Sequence, residues 1–237
     1  MPFTFKQFHV DDRLCGMPVS TDSVLLGAWS ALPTTGRVLD IGTGSGLLAL
    51  MAAQRSNASI TAVELDPQAA RQAQANFAAS PWADRLSLVV GAIQSWQPDW
   101  QADAIVCNPP YFSSGLRSEK GTARAQARHH DQLSLAELAQ NLDRLLAPAG
   151  QASLILPAEE AALLIQHCAA LDLPLAHRCQ VRTTPRKPVQ RTLLLFSRRA
   201  DHCVQDELLI QGPDGRYSDA YCQLTQAFYL KMGSQTQ

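Results

Sequence analysis

The sequence predicts an α/β protein with a seven-stranded, mostly parallel, doubly wound sheet whose last strand runs antiparallel. Two observations support this fold class. Short apolar runs alternate with helical patterns from residue 37 to about residue 197, an order that produces right-handed crossovers and a parallel sheet covered on both faces. The final two apolar runs follow each other without a helix between them, so one of those strands should run against the others.

The seven predicted strands are short apolar runs bounded by turn-forming residues. They are RVLDI (37–41), SITAVEL (59–65), LSLVV (86–90), ADAIVC (102–107), QASLILP (151–157), LAHRCQVR (175–182) and RTLLLFSR (191–198). Helices are predicted at 47–55, 67–80, 134–150 and 158–172, and further helical patterns lie at 23–29 and 220–232. Pro67 is typical of a helix start, and Ser134 with Glu137 three residues later forms a capping box.

A length of 237 residues with 46% apolar residues predicts a single domain over 1–237 with a sizeable core. We divide it into an N-terminal segment (1–36), a core (37–199) and a C-terminal addition (200–237). The first residues lack the apolar stretch of a signal peptide, and no apolar run reaches the roughly 18 residues of a membrane span. Six scattered cysteines without CxxC spacing favour free thiols over disulfides or a zinc site. We expect a cytoplasmic protein with no metal and no membrane contact. The oligomeric state is not determined by the sequence, and a monomer is favoured.

Charge is distributed unevenly along the chain, although the net charge is only −1. Residues 117–199 hold 12 Lys and Arg against 7 Asp and Glu, whereas 1–116 and 200–237 are both net acidic. A polyanion could bind the basic segment. Solvated charge on surface loops explains the same balance, so this observation alone leaves both interpretations open.

The turn after the first predicted strand contains three glycines, Gly42, Gly44 and Gly46. Glycines between a strand and a helix allow backbone amides to approach a ligand closely. Leu47 occupies the place of the third glycine of a dinucleotide fingerprint, and Asp40 is unfavourable beside a pyrophosphate but suits a ligand with an ammonium group. Glu64 ends the next strand, where a carboxylate can accept hydrogen bonds from both ribose hydroxyls. A glycine turn without a ligand is the alternative.

This DxGxGxG turn with an acid at the next strand end resembles motif I of the S-adenosylmethionine-dependent methyltransferases. The resemblance implies a Rossmann-like class I methyltransferase fold, with S-adenosylmethionine over the strand ends at Asp40, the three glycines and Glu64. After the third strand such enzymes usually carry an acid that accepts a hydrogen bond from the cofactor's adenine amine. Here GAIQSW places Ala92 at that position, so that hydrogen bond should come from elsewhere. The neighbouring Ile93 is assigned to the cofactor site.

The fourth predicted strand ends at a rigid segment that we call the elbow, residues Asn108, Pro109, Pro110 and Tyr111. Prolines lack a backbone N–H and have a fixed φ, so the strand cannot continue. The Asn108 side-chain oxygen and the Pro109 carbonyl can accept hydrogen bonds from an exocyclic amine, which frees the nitrogen lone pair for methyl transfer. Tyr111 offers a ring on which a planar target can stack. A proline-stiffened loop with a core tyrosine is the structural alternative.

The NPPY elbow resembles motif IV of amino-group methyltransferases that act on adenine, guanine N2 or glutamine amides. Longer stretches, 3–29, 108–134 and 217–232, resemble the family of bacterial tRNA (adenine-N6)-methyltransferases that modify adenine 37 of a valine tRNA. This resemblance covers nearly the whole chain and implies methylation of adenine N6 in tRNA. It also implies that 1–36 forms a lid in which Thr21 and Asp22 close over the methionine end of the cofactor, and it assigns Asn108 to the cofactor site as well as to catalysis. Thr21 and Asp22 serve equally well as an N-cap pair for the following helix.

The segment after the elbow is rich in basic residues, namely Arg117, Lys120, Arg124, Arg128, His129 and His130. A basic loop with small residues beside the target pocket suits the phosphates that flank an extruded base. The loop TTPRKPVQR between the last two predicted strands adds Arg186, Lys187 and Arg191. We expect both loops to contact tRNA, while ordinary solvated charge remains the alternative for each.

Four other functions are the alternatives on the sequence alone. The same elbow serves enzymes that methylate a protein glutamine amide or guanine N2 of ribosomal RNA. A chaperone that binds cofactor and RNA without turnover is disfavoured by the complete elbow, and an oxidoreductase on a similar fold is disfavoured by Leu47 and Asp40.

The basic cluster after the elbow generates a prediction about salt. Replacing Arg117, Lys120, Arg124 and Arg128 together with alanine should flatten the slope of log tRNA affinity against log salt by up to about 3, because each phosphate contact releases counterions. A salt titration of tRNA binding by the wild type and the fourfold variant measures this slope, with cofactor affinity as the unchanged control. Parallel lines would mean that the cluster is solvated surface.

Overall fold

The computed structural model describes residues 2–109 and 133–231, and its central element is an eight-stranded sheet. Strands β1 Phe3–Thr4 and β2 His9–Val10 form a separate two-stranded sheet. The eight strands of the main sheet are β3 Arg37–Ile41, β4 Ser59–Glu64, β5 Leu86–Val90, β6 Ala102–Cys107, β7 Leu146–Pro157, β8 Leu175–Arg182, β9 Arg191–Phe196 and β10 Val204–Leu209. The helices are α1 Thr21–Trp29, α2 Leu47–Arg55, α3 Pro67–Ala78, α4 Leu135–Leu145, α5 Ala158–Ala169 and α6 Asp219–Thr225, with a short 3₁₀ turn at Ala83–Arg85. Among these helices, none has the length and apolar character needed to cross a membrane.

The main sheet has the strand order β10-β8-β9-β7-β6-β3-β4-β5. Strand β9 pairs antiparallel with both β7 and β8, and the other adjacent pairs are parallel. This arrangement confirms the predicted α/β sheet and its antiparallel seventh strand. Because parallel strands share one direction, the carboxyl ends of β3, β4, β5 and β6 meet at one edge, where α/β proteins bind ligands.

The prediction of seven strands is wrong by one strand. Residues Val204–Leu209, assigned to the C-terminal addition, pair in parallel with β8 from Val204 opposite His177 to Leu209 opposite Arg182. Most of β10 is exposed, so its sequence VQDELL lacks the apolar run that marks the other strands. Charged residues of this kind also protect a sheet edge against further pairing.

Five of the six predicted helices differ from the structure at one end or both, and those predicted at 67–80 and 158–172 end at Ala78 and Ala169. The helix predicted at 134–150 ends at Leu145, and residues 146–150 belong to β7, where Pro148 cannot continue a helix. The predicted pattern at 220–232 is helical only over Asp219–Thr225. The first helix begins at Thr21, and Ser20 is its N-cap because the Ser20 side chain accepts a hydrogen bond from the Ser23 backbone N–H. Thr21 and Asp22 therefore form the first helical turn and not the cap.

Helices cover both faces of the sheet, as the doubly wound pattern predicts. One buried cluster joins the sheet to α4 and α5, with Leu138 and Leu164 among its members. Two further clusters lie under α1, α2 and α3 and contain Leu25 and Phe77. The N-terminal and C-terminal segments meet on this side, where Phe5 pairs with Tyr229 in an isolated bridge.

All six cysteines are free thiols, which confirms the prediction of free thiols from their scattered positions.

Asn76 on α3 ties the N-terminal segment to the glycine turn. Its side chain is 5% exposed, accepts a hydrogen bond from the Asp11 backbone N–H at 3.0 Å, and donates to the carbonyls of Asp11 and Ser45 at 2.8 Å each. The next residue, Asp12, accepts a hydrogen bond from the Val19 backbone N–H at 2.9 Å. Asn76 and Asp12 together hold the loop between residues 12 and 19 against the sheet.

We expect Asn76→Ala to lower the free energy of unfolding by about 2–4 kcal/mol, because buried backbone groups of Asp11 and Ser45 lose their partners at roughly 1–3 kcal/mol each. The exposed Gln74 on the same helix provides the matched control, and Gln74→Ala should change stability by less than about 0.5 kcal/mol. Urea unfolding followed by circular dichroism measures both values. Equal losses in the two variants would contradict this role for Asn76.

Candidate functional site

The carboxyl ends of β3, β4, β5 and β6 open into a cavity of about 360 Å³, which we call the cleft. Four connections that follow these strands line it, together with part of the N-terminal segment. The lining residues include Gly42, Gly44, Glu64, Ile93, Asn108 and Pro109, all of which the sequence analysis assigned to the site. The volume lies within the range of roughly 300–1,000 Å³ that is usual for small-molecule sites.

The three glycines of the β3–α2 turn all have positive φ, but they serve two purposes. A Cβ atom added to Gly42 or Gly44 would meet nothing within 4 Å, and both residues line the cleft. A Cβ atom added to Gly46 would lie 2.5 Å from a ring carbon of Phe77. Gly42 and Gly44 therefore leave room for a ligand, whereas Gly46 allows the turn to pack on α3.

Asp40 holds this turn from the interior of the protein. Its side chain is fully buried, and Oδ2 accepts hydrogen bonds from the Thr43 hydroxyl at 2.5 Å and the Ala49 backbone N–H at 3.1 Å. Burial raises the pKa of the Asp40 carboxyl to about 7, although these two hydrogen bonds oppose the shift. Asp40 does not line the cleft, so its described contacts fix the turn and the start of α2. The predicted contact with an ammonium group stays a prediction.

Glu64 connects the end of β4 to the glycine turn. One carboxylate oxygen accepts a hydrogen bond from the Gly44 backbone N–H at 2.8 Å, and the other accepts from the Asp66 backbone N–H at 2.9 Å. A carboxylate has about four lone-pair positions, so each oxygen can accept one more donor from the cleft. The two amides also fix the orientation of the carboxylate before a ligand binds.

The connection that follows β5 forms one wall of the cleft and consists of Gly91, Ala92, Ile93 and Gln94. Ile93 is 5% exposed and belongs to the core, so it gives this wall a flat apolar surface. Ala92 has no polar group, as the sequence indicated. Gln94, which the sequence analysis did not select, brings an amide to the wall. Hydrogen bonds from Ser134, and to a smaller degree the Gln94 amide, lower the pKa of the nearby Glu137 carboxyl.

At the elbow, Asn108 and Pro109 lie at the mouth of the cleft. The Asn108 side-chain nitrogen donates a hydrogen bond to the Ser23 hydroxyl at 2.8 Å, so the first turn of α1 fixes the amide with its nitrogen toward α1. Ser23 is held in turn by Ser20, whose hydroxyl lies 3.1 Å away. Pro110 and Tyr111 lie outside the described residues, as do the predicted RNA-binding residues Arg117, Lys120, Arg124 and Arg128.

Two predicted cofactor residues line a different cavity. Thr21 and Asp22 face a space beside β9, and an Asp22 oxygen lies 2.6 Å from the Arg191 side chain in an ion pair. The assignment of Thr21 and Asp22 to the methionine end of the cofactor stays a prediction. Arg186 and Lys187 are exposed on the loop between β8 and β9.

The sequence analysis assigned residues 1–36 to a lid but did not select the residues of this segment that line the cleft. Cys15, Gly16 and Met17 line it, and 47% of Met17 is exposed although its side chain is large and apolar. Burial and the nearby carboxylates, Glu64 first, raise the pKa of the Cys15 thiol to about 11, so the thiol stays neutral. The segment has no helical or strand periodicity, and its single signal is an apolar Met between Gly16 and Pro18.

Comparisons with known proteins agree with this geometry. Residues 21–132 match the model of the methyltransferase small domain. A solved structure of a predicted O-methyltransferase from Agrobacterium tumefaciens superposes with a TM-score of 0.68 at 16% identity, over 87% of this chain and 96% of that one. At such low identity the likeness shows the fold alone, and it confirms the predicted class I methyltransferase architecture.

Much closer similarity is found among curated relatives. The tRNA1(Val) (adenine(37)-N6)-methyltransferase of Shewanella loihica is 49% identical over 98% of this chain and 100% of its own length. The protein of the same name from Photobacterium profundum is 50% identical over 97% of this chain and 98% of its own length. This chain therefore belongs to the tRNA1(Val) (adenine(37)-N6)-methyltransferase family.

Proposed function

We propose that this protein transfers a methyl group from S-adenosylmethionine to the exocyclic N6 of an adenine in tRNA, namely adenine 37 beside the anticodon of a valine tRNA. One observation carries the proposal. The glycine turn, with open space beside it for a ligand, and the Asn108–Pro109 part of the elbow line the same cleft. The names of the relatives supply the substrate. Because its substrate is tRNA, we assign the reaction to the cytoplasm.

The residues of the cleft fit S-adenosylmethionine. Glu64 has acceptor positions for the ribose hydroxyls, since among the described residues each oxygen accepts a hydrogen bond from one backbone amide. The open space beside Gly42 and Gly44 admits the methionine portion against the backbone. Ile93 packs on the adenine ring, and the Gln94 amide replaces the usual acid as the acceptor for the adenine amine.

The elbow prepares the target nitrogen. An exocyclic amine is a poor nucleophile because its lone pair is delocalised into the ring. The Asn108 side-chain oxygen and the Pro109 carbonyl accept hydrogen bonds from the two amine hydrogens and favour a tetrahedral nitrogen. These acceptors are held in place beforehand, so they stabilise charge that develops only in the transition state. When bound, the cofactor supplies an electrophilic methyl group on a positively charged sulfur.

The function is tested directly with unmodified valine tRNA and labelled cofactor. Nucleoside mass spectrometry should find N6-methyladenosine, and replacing adenine 37 by guanine should abolish the label. A release-factor protein and ribosomal RNA serve as the competing substrates. Label in glutamine or in guanine N2, with none in the tRNA, would overturn the proposal in favour of the other amino-group methyltransferases.

We expect Glu64→Ala and Gly44→Val to weaken S-adenosylmethionine binding by about 10-fold or more, because one removes a charged acceptor and the other fills the cleft. Glu64→Gln retains the shape and should show an intermediate loss. Isothermal calorimetry measures the affinities, and the exposed Asp84 provides the control Asp84→Ala. Unchanged affinity in both site variants would remove this assignment.

We expect Asn108→Ala to lower kcat by about 100-fold or more while cofactor affinity changes little, since the lost acceptor acts mainly in the transition state. Ser23→Ala should lower kcat less, and Ser23→Thr should restore it because the hydroxyl that orients Asn108 returns. Single-turnover methyl transfer measures these rates, with Asn57→Ala at an exposed asparagine as the control. Wild-type turnover by Asn108→Ala would exclude the polarisation mechanism.

A further inference from the structure

A second cavity of about 260 Å³ opens at the same edge of the sheet as the cleft. We call it the second cavity, and the proposed reaction does not use it. Its walls come from the first turn of α1, from the ends of β8 and β9, and from the segment after β10. The polar residues of its lining include Asp22, Thr183, Gln190, Arg191, Gln211 and Tyr217.

The second cavity lies next to the elbow. Asp22 lines it, and the adjacent residue Ser23 accepts the hydrogen bond from Asn108 at 2.8 Å. Strand β7 separates β6, which delivers Asn108, from β9, which begins at Arg191. Two strand spacings correspond to about 10 Å. A nucleotide that neighbours a base held at the elbow can therefore reach the second cavity.

The cavity carries groups that recognise a nucleobase. Tyr217 is 54% exposed, and its ring lies 5.0 Å from that of Tyr221 at an interplanar angle of 31°. An exposed tyrosine supported in this way offers a surface on which an unstacked base can lie. The Gln190 side-chain oxygen accepts a hydrogen bond from the Thr183 hydroxyl at 3.0 Å, which leaves the amide nitrogen of Gln190 to donate to a base edge.

Charge and size favour a base over a phosphate. The Arg191 guanidinium lies 2.6 Å from the Asp22 carboxylate, so within this pair one positive charge is offset by one negative charge. Among the described residues, the other polar side chains of the lining are neutral amides and hydroxyls, the groups that pair with base edges. The volume is just below the usual range of ligand sites, roughly 300–1,000 Å³, and suits one planar ring system. Arg186 and Lys187 lie exposed on the adjoining loop, where they can meet the backbone phosphates.

We propose that the second cavity binds one base of the tRNA that neighbours the target adenine, an inference that rests on the proposed function. The base stacks on Tyr217 and is read at its edge by Gln190 and Gln211. The enzyme then recognises its substrate by two extruded bases, one at the elbow and one beside it. Strands β8 and β10, which are distant from the cleft, thereby contribute to substrate specificity.

The test combines protein variants with altered RNA. Full-length valine tRNA is assembled with a single abasic residue at each of the two positions on either side of adenine 37. Wild type, Tyr217→Ala, Tyr217→Phe and Gln211→Ala are compared for kcat/KM on the intact and the abasic tRNAs. Gln223→Ala is the matched control, because Gln223 is an exposed amide on α6 that does not line the second cavity.

We expect Tyr217→Ala to lower kcat/KM on intact tRNA by about 10-fold or more, with wild-type cofactor affinity, and Tyr217→Phe to restore most of the activity. At a single abasic position the wild type should fall by a similar factor, and Tyr217→Ala should lose nothing further there. An unchanged Tyr217→Ala, or an equal loss on every tRNA, overturns the inference and leaves the proposed function intact. A wild type that makes no N6-methyladenosine on intact tRNA overturns both.

Discussion

The whole site depends on the glycine turn between β3 and α2 being held between two carboxylates. Asp40 fixes it from inside the sheet through Thr43 and the start of α2, and Glu64 fixes it from the cleft through the Gly44 amide. The turn uses backbone conformations with positive φ that only glycine adopts without strain. Once it is fixed, the open space beside it has a defined shape and the Glu64 acceptors have a defined direction.

The N-terminal segment completes the cleft because α3 holds it there. Asn76 fixes Asp11 and the glycine turn with one side chain, and the loop that Asp12 closes brings Met17 to the cleft wall. The first turn of α1 then reaches the elbow, where Ser23 orients Asn108. A segment with little regular structure thus connects the cleft to the elbow.

The edge of the sheet can be divided by function along its length. Strands β3, β4 and β5 end at the cleft that we propose for the cofactor, β6 ends at the elbow, and β8, β9 and β10 surround the second cavity. The antiparallel strand β9 makes this possible, because its first residue, Arg191, lies where its neighbours have their last. Arg191 can therefore pair with Asp22 on α1 and close the floor of the second cavity.

The sequence by itself determined the strand–helix alternation, the glycine turn, the elbow and the family, because each can be recognised from contiguous stretches of residues. The sequence analysis missed strand β10 because most of its residues are exposed, so the strand lacks the apolar run that marks the others. Only the tertiary structure decided that Gly46 packs on Phe77, that Asp40 binds Thr43 and the start of α2, and that Ser20 caps α1. It alone brought Asp22 to Arg191 and Ser23 to Asn108, since these partners lie 169 and 85 residues apart. Contacts over such distances leave no local pattern, and they form only when the sheet brings the ends of its strands to one edge.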